Sequence, residues 1–198
     1  GVLIPGGFGY RGSLGKRVAI KYARKNKVPF LGICFGFQLA VIEFCKNVLG
    51  LDGANSAEFE DEEDIVVEDP VIDLLPEQKN VDKKGGTMRL GAQKVFVEKG
   101  SAAYELYRSE EIFERHRHRY EVNTDYKSSM EEKGLKFTGV SPDGKKMEIL
   151  ELDKQMHPYY MASQFHPEFK SRPRKPVPLF TGFVKAAAEH AGCKNISE

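Results

Sequence analysis

The sequence predicts an α/β fold, a mainly parallel open sheet with helices on both faces plus antiparallel strands. Three observations lead there. Two short apolar runs, at 2–4 and 28–33, are each followed by a helical pattern, the signature of a parallel sheet. The first run stops at Pro5-Gly6-Gly7 and the second runs into Gly32-Ile33-Cys34-Phe35-Gly36, so each strand ends in a glycine-bearing turn. The second half of the chain is a series of strand-like segments closed by one more helix.

Taken in order, Val2, Leu3 and Ile4 form a buried strand. Ser13 is placed to cap a helix in which Leu14, Val18 and Tyr22 recur at i, i+4 and i+8, with Ala19 and Ala23 beside them and basic residues opposite. The chain turns near Asn26, and 28–33 is the second strand. The following helix, 36–49, is apolar on nearly every side (Leu39, Val41, Ile42, Phe44, Val48) and is expected to be deeply buried, with Gly50 at its C′ position. From 52 to 84 the acidic, proline-containing composition reads as irregular surface. Strands are expected at 87–90, 94–97, 117–122, 135–140, 146–152 and 160–165. Pro142-Asp143-Gly144 joins two of them as an antiparallel hairpin. Residues 171–178 are extended and proline-rich, and 179–191 is a terminal helix.

The 198 residues are 40% hydrophobic, enough for one domain with a substantial core. Thirty Lys and Arg against 29 Asp and Glu leave a net charge of +1, which gives no global attraction to nucleic acid or membrane. No apolar run approaches the roughly 20 residues of a spanning helix. Cys34, Cys45 and Cys193 show no C-x-x-C spacing, so free thiols in a reducing, cytoplasmic compartment are expected. Charge is uneven along the chain: residues 1–42 hold seven Lys or Arg and no acid, whereas 43–73 hold eleven acids and only Lys46. A solvated basic helix face followed by an acidic loop accounts for both.

The chemistry concentrates at Cys34. Gly-x-Cys-x-Gly where a buried strand meets a helix is the cysteine counterpart of the nucleophile elbow. The sharp turn strains the backbone and crowds its neighbours, so glycine is needed on both flanks. The helix N-terminus favours a thiolate, and the Phe35 amide can donate to a developing oxyanion. Gln164-Phe165-His166-Pro167-Glu168 follows an apolar strand, which places His166 just past a strand end. Glu168 is near enough to fix its tautomer.

Together Pro5-Gly6-Gly7, Gly32-Ile33-Cys34-Phe35-Gly36-Phe37-Gln38 and His166-Pro167-Glu168 resemble, in order, the hallmarks of the class I (triad-type) glutamine amidotransferases. Further segments narrow the likeness to glutaminase domains of the CTP synthase family. They are PGGFGYRG (5–12), QLAVIEF (38–44), ANSAEF (54–59), GGTMRLG (85–91), ERHRHRYEVN (114–123) and QFHPEFKSRP (164–173). ANSAEF and RHRHRYEVN do not resemble GMP synthetase or carbamoyl-phosphate synthetase. The resemblance covers nearly the whole chain. It implies a flavodoxin-like sheet, Cys34 as nucleophile, His166 as general base and acid, and Glu168 as its orienter. It implies an oxyanion hole from the amides of Gly7 and Phe35. Glutamine would be held by Gln38, Glu58 and Arg119 with the backbone of Gly36 and Phe37. An acid and an arginine suit glutamine's α-ammonium and α-carboxylate.

By the same resemblance, this domain uses no cofactor. A synthetase domain of the same polypeptide would bind ATP and Mg and use the ammonia to convert UTP to CTP, and the full-length protein would be a homo-oligomer. The strand–helix units that precede Pro-Gly-Gly in the family are missing from 1–198, so an N-terminally incomplete glutaminase domain is expected. Phe35 and Phe37 stand where the family commonly has leucine and methionine, which is expected to reshape the pocket wall and retain activity.

Rival readings are weaker. Gly7-x-Gly9-x-x-Gly12 fits a dinucleotide loop, but no acid follows before Glu43, where that site would need one roughly 20 residues on. His116 and His118 share one strand face, but lack further ligands and are flanked by Arg115, Arg117 and Arg119, which repel a cation. The same basic run lacks the interleaved aromatics of a nucleic-acid site.

Overall fold

The computed structural model describes residues 1–60, 65–74 and 88–193. Strand β1 (Val2–Ile4), helix α1 (Ser13–Lys25), strand β2 (Phe30–Ile33) and helix α2 (Phe35–Phe44) form the expected strand–helix–strand–helix unit. Helix α2 continues into a π-helical turn, Cys45–Leu49, and stops at Gly50 with φ 76°. There follow β3 (Ala54–Ser56), β4 (Asp69–Asp73), β5 (Arg89–Val97), α3 (Ala102–Tyr107), β6 (Glu111–His118), β7 (Glu121–Val122) and α4 (Lys127–Glu132). The chain ends with β8 (Leu135–Val140), β9 (Met147–Leu152), β10 (Tyr160–Ser163) and α5 (Pro178–His190).

Among the described residues, seven strands make one sheet in the order β1-β2-β10-β9-β8-β5-β6. Strands β1, β2 and β10 run parallel, and the other pairings are antiparallel, including the β8–β9 hairpin around Pro142-Asp143-Gly144. Strands β3, β4 and β7 form a small second sheet. One core, containing Ile20, Phe37, Val41, Ile72 and Phe137, joins α1, α2 and the small sheet to one face. Leu31, Ile33, Val95, Met161, Phe165 and Leu179 pack α3 and α5 on the other. The α/β fold with helices on both faces is therefore present. The parallel step from β2 to β10 matters most, because it sets the ends of the two strands side by side: the Cys34 N–H donates to the Ser163 carbonyl at 2.7 Å.

Several local expectations are corrected. Leu14, Val18 and Tyr22 of α1 are exposed, and the buried side is Ile20 and Ala23. The reason is electrostatic. Glu43 lies inside α2 with its side chain wholly buried, and α1 turns so that Arg24 reaches it with two hydrogen bonds of 2.8 and 2.7 Å. Ser13 is not the cap. Gly12 holds that position, and Ser13 is buried as the first helical residue. The acidic stretch contains β3 and β4, while 61–64 and 75–84 lie outside the described residues, as does Thr87. The segments expected at 87–90 and 94–97 belong to a single strand, β5. The strand expected at 117–122 is the end of β6 and, after a break, β7. Helices α3 and α4 lie where no helix was expected.

Candidate active site

Cys34 sits between β2 and α2 with φ 50° and ψ −96°, a conformation that L-residues with a side chain rarely adopt. Crowding explains the flanking glycines. A Cβ on Gly36 would lie 2.2 Å from the Ile4 carbonyl oxygen, and one on Gly32 would lie 2.8 Å from the Gly36 backbone. The strand–helix crossing closes only if both are glycine.

His166 follows β10 and is fixed from three sides. Its N–H donates to the Arg115 carbonyl at 2.8 Å, its ring stacks on Phe169 at 4.7 Å, and its Nδ1 lies 2.6 Å from Glu168 Oε1. The carboxylate can only accept, so Nδ1 carries the proton and Nε2, buried and unpartnered, offers a lone pair. Gly6 marks where the two side chains meet. A Cβ there would be 2.8 Å from His166 Cε1 and 3.7 Å from Cys34 Cβ.

The Cys34 thiol is not a thiolate in this resting geometry. Burial pushes it up to about 12 against the Phe35 amide, and the negative charges of Glu168, Glu121 and Glu58 add to the rise. The helix end expected to stabilise a thiolate is outweighed by desolvation. The thiol points at the Arg117 carbonyl, 3.9 Å away, and the Gln164 side-chain amide donates to Sγ at 3.7 Å.

A pocket of about 60 Å³ opens over Cys34. Gly7, Gln38, Glu58 and Arg119 line it with Cys34, and Phe8, Met88, His118 and Tyr120 complete the wall. Gln38 is held by the Tyr120 carbonyl at 2.9 Å and Gln164 Oε1 at 3.2 Å. Glu58 accepts the Gly9 N–H at 2.9 Å. Burial raises its carboxyl above the usual range, with the Gly9 amide and Arg119 opposing. The side chains of Phe35 and Phe37 are not part of the pocket wall, which corrects the expected reshaping. The Phe35 ring packs under Gly7 and against Phe59, and Phe37 meets Phe137 in the core.

Sequence reasoning missed Gln164, Tyr120, Met88 and His118. Gln164 stood within a quoted motif with no task assigned, and His118 was considered only as a metal ligand. His116 and His118 do share a face of β6, but it points inward to carboxylates. His116 Nε2 lies 2.7 Å from Glu148, and His118 Nε2 lies 2.8 Å from Glu121. Among the described residues no group of His, Cys, Asp or Glu could hold a metal ion, and no helix is long and apolar enough to cross a membrane.

Residues 1–186 match the family "Glutamine amidotransferase class-I". The chain belongs to the class I glutamine amidotransferases, and its domain is of an enzymatic kind. Within them its sequence falls with the glutaminase domains of CTP synthases. It is 57% identical over 192 residues to a CTP synthase of Pyrococcus abyssi, covering 96% of this chain and 34% of that protein. With a CTP synthase of Bacillus subtilis it shares 56% over 194 residues, 98% of this chain and 35% of the other. The chain thus spans about a third of the length of these curated relatives. Its fold superposes on the glutaminase domain of Trypanosoma brucei CTPS with bound acivicin at a TM-score of 0.85 and 39% identity, covering 94% of this chain and 70% of that one.

Proposed function

We propose that this chain hydrolyses L-glutamine through Cys34 and supplies the ammonia to a synthetase domain of the same polypeptide, which converts UTP to CTP with ATP and Mg. The observation that carries the reading is the convergence of Cys34 and His166 on Gly6, with Glu168 fixing the imidazole tautomer. The raised thiol defines the first step. When glutamine fills the pocket, the thiol proton passes to His166 Nε2 as Sγ bonds the side-chain carbonyl carbon. The carbonyl oxygen takes up the negative charge between the amides of Gly7 and Phe35. His166 then returns its proton to the departing nitrogen, ammonia leaves, and a γ-glutamyl thioester remains. A water gives its proton to His166 and attacks the thioester, and the sulfur departs to regenerate Cys34 and glutamate.

Glu58 takes the α-ammonium and Arg119 the α-carboxylate, while Gln38 and the backbone of Gly36 and Phe37 shape the space between. No cofactor enters these steps. The free Cys34, Cys45 and Cys193 accord with a cytoplasmic protein. In the full-length protein, Cys34→Ser should abolish CTP formation from glutamine and leave CTP formation from free ammonia intact, because the half-reactions use separate sites. Loss of both in a folded variant would sink the two-site reading.

A further inference from the structure

Beneath the pocket, β5, β6, β7 and β9 contribute a buried charge cluster that the proposed mechanism does not use. Arg89 donates from Nη1 to Glu121 Oε1 and from Nη2 to Glu148 Oε1, each at 2.8 Å. The side chains of His116, Glu121 and Glu148 are wholly buried, and that of His118 is 2% exposed. Hydrogen-bond direction fixes the protons. His116 Nδ1 lies 3.0 Å from the Glu114 carbonyl and Nε2 lies 2.7 Å from Glu148 Oε2. Both neighbours can only accept, so both ring nitrogens of His116 are placed as donors. Arg89 and His116 thus lie against Glu121 and Glu148 in one buried network.

His118 joins this network through one ring nitrogen. Its Nε2 is 2.8 Å from Glu121 Oε1 and 3.4 Å from Arg89 Nη1. The shorter contact is with the carboxylate, so Nε2 carries the proton and Nδ1 carries the lone pair. That Nδ1 is buried and has no hydrogen-bond partner among the described residues, and His118 lines the pocket with Cys34, Gln38, Glu58 and Arg119. A buried acceptor without a donor costs free energy unless a ligand supplies one.

The geometry points to His118 as a further substrate-binding residue, whose Nδ1 accepts an N–H of bound glutamine. This deepens the glutaminase reading and rests on it. Glutamine has two kinds of N–H to give, the α-ammonium and the side-chain amide. Glutamate lacks the second, so an acceptor at the amide end would also favour substrate over product. The Glu121 contact takes up Nε2 and leaves Nδ1 as the unpartnered nitrogen of a pocket-lining ring among the described residues.

Two isosteric substitutions separate substrate binding from support of the fold. Asparagine places an amide oxygen near the Nδ1 position and gives up Glu121, which keeps Arg89. Glutamine reaches the Nε2 position, keeps Glu121 and gives up Nδ1. In the full-length protein, His118→Gln should raise the KM for glutamine about tenfold with little change in kcat, and His118→Asn should raise it less. The reverse order, or equal losses, would assign His118 to the fold and overturn the proposal. A crystal structure of the Cys34→Ala protein with L-glutamine gives a reading independent of both variants. A substrate nitrogen within hydrogen-bond distance of Nδ1 supports the proposal, and Nδ1 facing only water or protein overturns it. A folded wild-type protein inactive on glutamine would strike the glutaminase reading itself. An active wild type with an unmoved His118→Gln KM would strike only this inference.

Discussion

Two imidazole–carboxylate pairs stand by the pocket, and they are built differently. His166 and Glu168 are 2.6 Å apart, with a Glu168 side chain that is 41% exposed; His118 and Glu121 are 2.8 Å apart, and Glu121 is wholly buried. The first pair sits on the loop after β10, where the carboxylate is open to solvent. The second is welded through Arg89 to Glu148 and His116, whose side chains are buried and hold one another in place. Proton traffic belongs on the first pair and rigidity on the second. The comparison predicts opposite phenotypes for similar substitutions.

The largest effect should fall on the exposed pair. His166→Asn removes the group proposed to shuttle protons, so kcat should drop by about a thousandfold or more, while cooperative unfolding is kept. Glu148→Gln should do the opposite, because it strips the carboxylate from Arg89 and the buried His116. A stability loss of about 3–5 kcal/mol is expected, with KM and kcat recoverable at low temperature. Denaturant titration beside steady-state kinetics reads both. If His166→Asn melts early, or Glu148→Gln stays as stable as wild type, the division of labour is wrong.

Smaller effects are expected where the pocket holds the parts of glutamine remote from the reacting carbon. Glu58→Gln and Arg119→Ala should each lose about 1.5–3 kcal/mol of binding, seen as a KM increase of roughly 10- to 150-fold with kcat largely kept. Because burial raises the Glu58 carboxyl, acid protonates it before an ordinary glutamate and removes the charge that binds the ammonium. The wild-type KM should therefore climb as pH falls, and that climb should be missing in Glu58→Gln. An unchanged KM in either variant removes that residue from the site.

Cysteine labelling sharpens the same contrast. Cys34 and Cys45 are buried thiols pushed up to about 12, and Cys193 is exposed. A generic thiol reagent at neutral pH should reach Cys193 first. An electrophilic glutamine analogue should instead modify Cys34, since filling the pocket brings the reactive carbon to the thiol beside His166. Peptide mapping that finds all three modified alike by the analogue would argue against an activated nucleophile.

Much of this site could be read from the sequence because its determinants are local. A nucleophile elbow needs glycines at fixed offsets, and a histidine followed two residues later by its carboxylate needs only a tight turn. The unit β1–α1–β2–α2 was legible for the same reason. What failed was decided at long range. Leu14, Val18 and Tyr22 form a stripe as regular as any buried one, but α1 turned toward Glu43, a residue 19 positions away from Arg24. Strands β3 and β4 were hidden in acidic sequence because a three-residue strand such as β3 has no periodicity to detect. The buried cluster was invisible since Arg89, His116, Glu121 and Glu148 are scattered over 60 residues. Each alone reads as a solvated charge.

The smallest predicted effect uses His157, a third kind of histidine, buried but with no carboxylate. Its Nε2 lies 3.0 Å from the Ala23 carbonyl and so carries the proton, and Nδ1 accepts the Tyr159 N–H at 3.2 Å. The ring is satisfied only when neutral. Burial lowers its titration below the ordinary 6.5, with Lys27 and His190 adding to the effect and the two backbone contacts opposing it. In the unfolded chain His157 takes up a proton near pH 6.5, whereas the folded chain resists until lower pH. Its contribution to stability is therefore complete above about 6.5 and declines as pH falls from there toward the lowered folded value. Carboxylates also weaken the fold in acid, so the comparison must be made against His157→Gln, whose amide can still donate to Ala23 but does not titrate. The variant should melt somewhat lower than wild type at pH 8, and the gap between the two curves should narrow between pH 7 and 5. A constant gap across that range would mean that His157 is protonated as readily inside the protein as outside it, and that its contacts do not select the neutral ring.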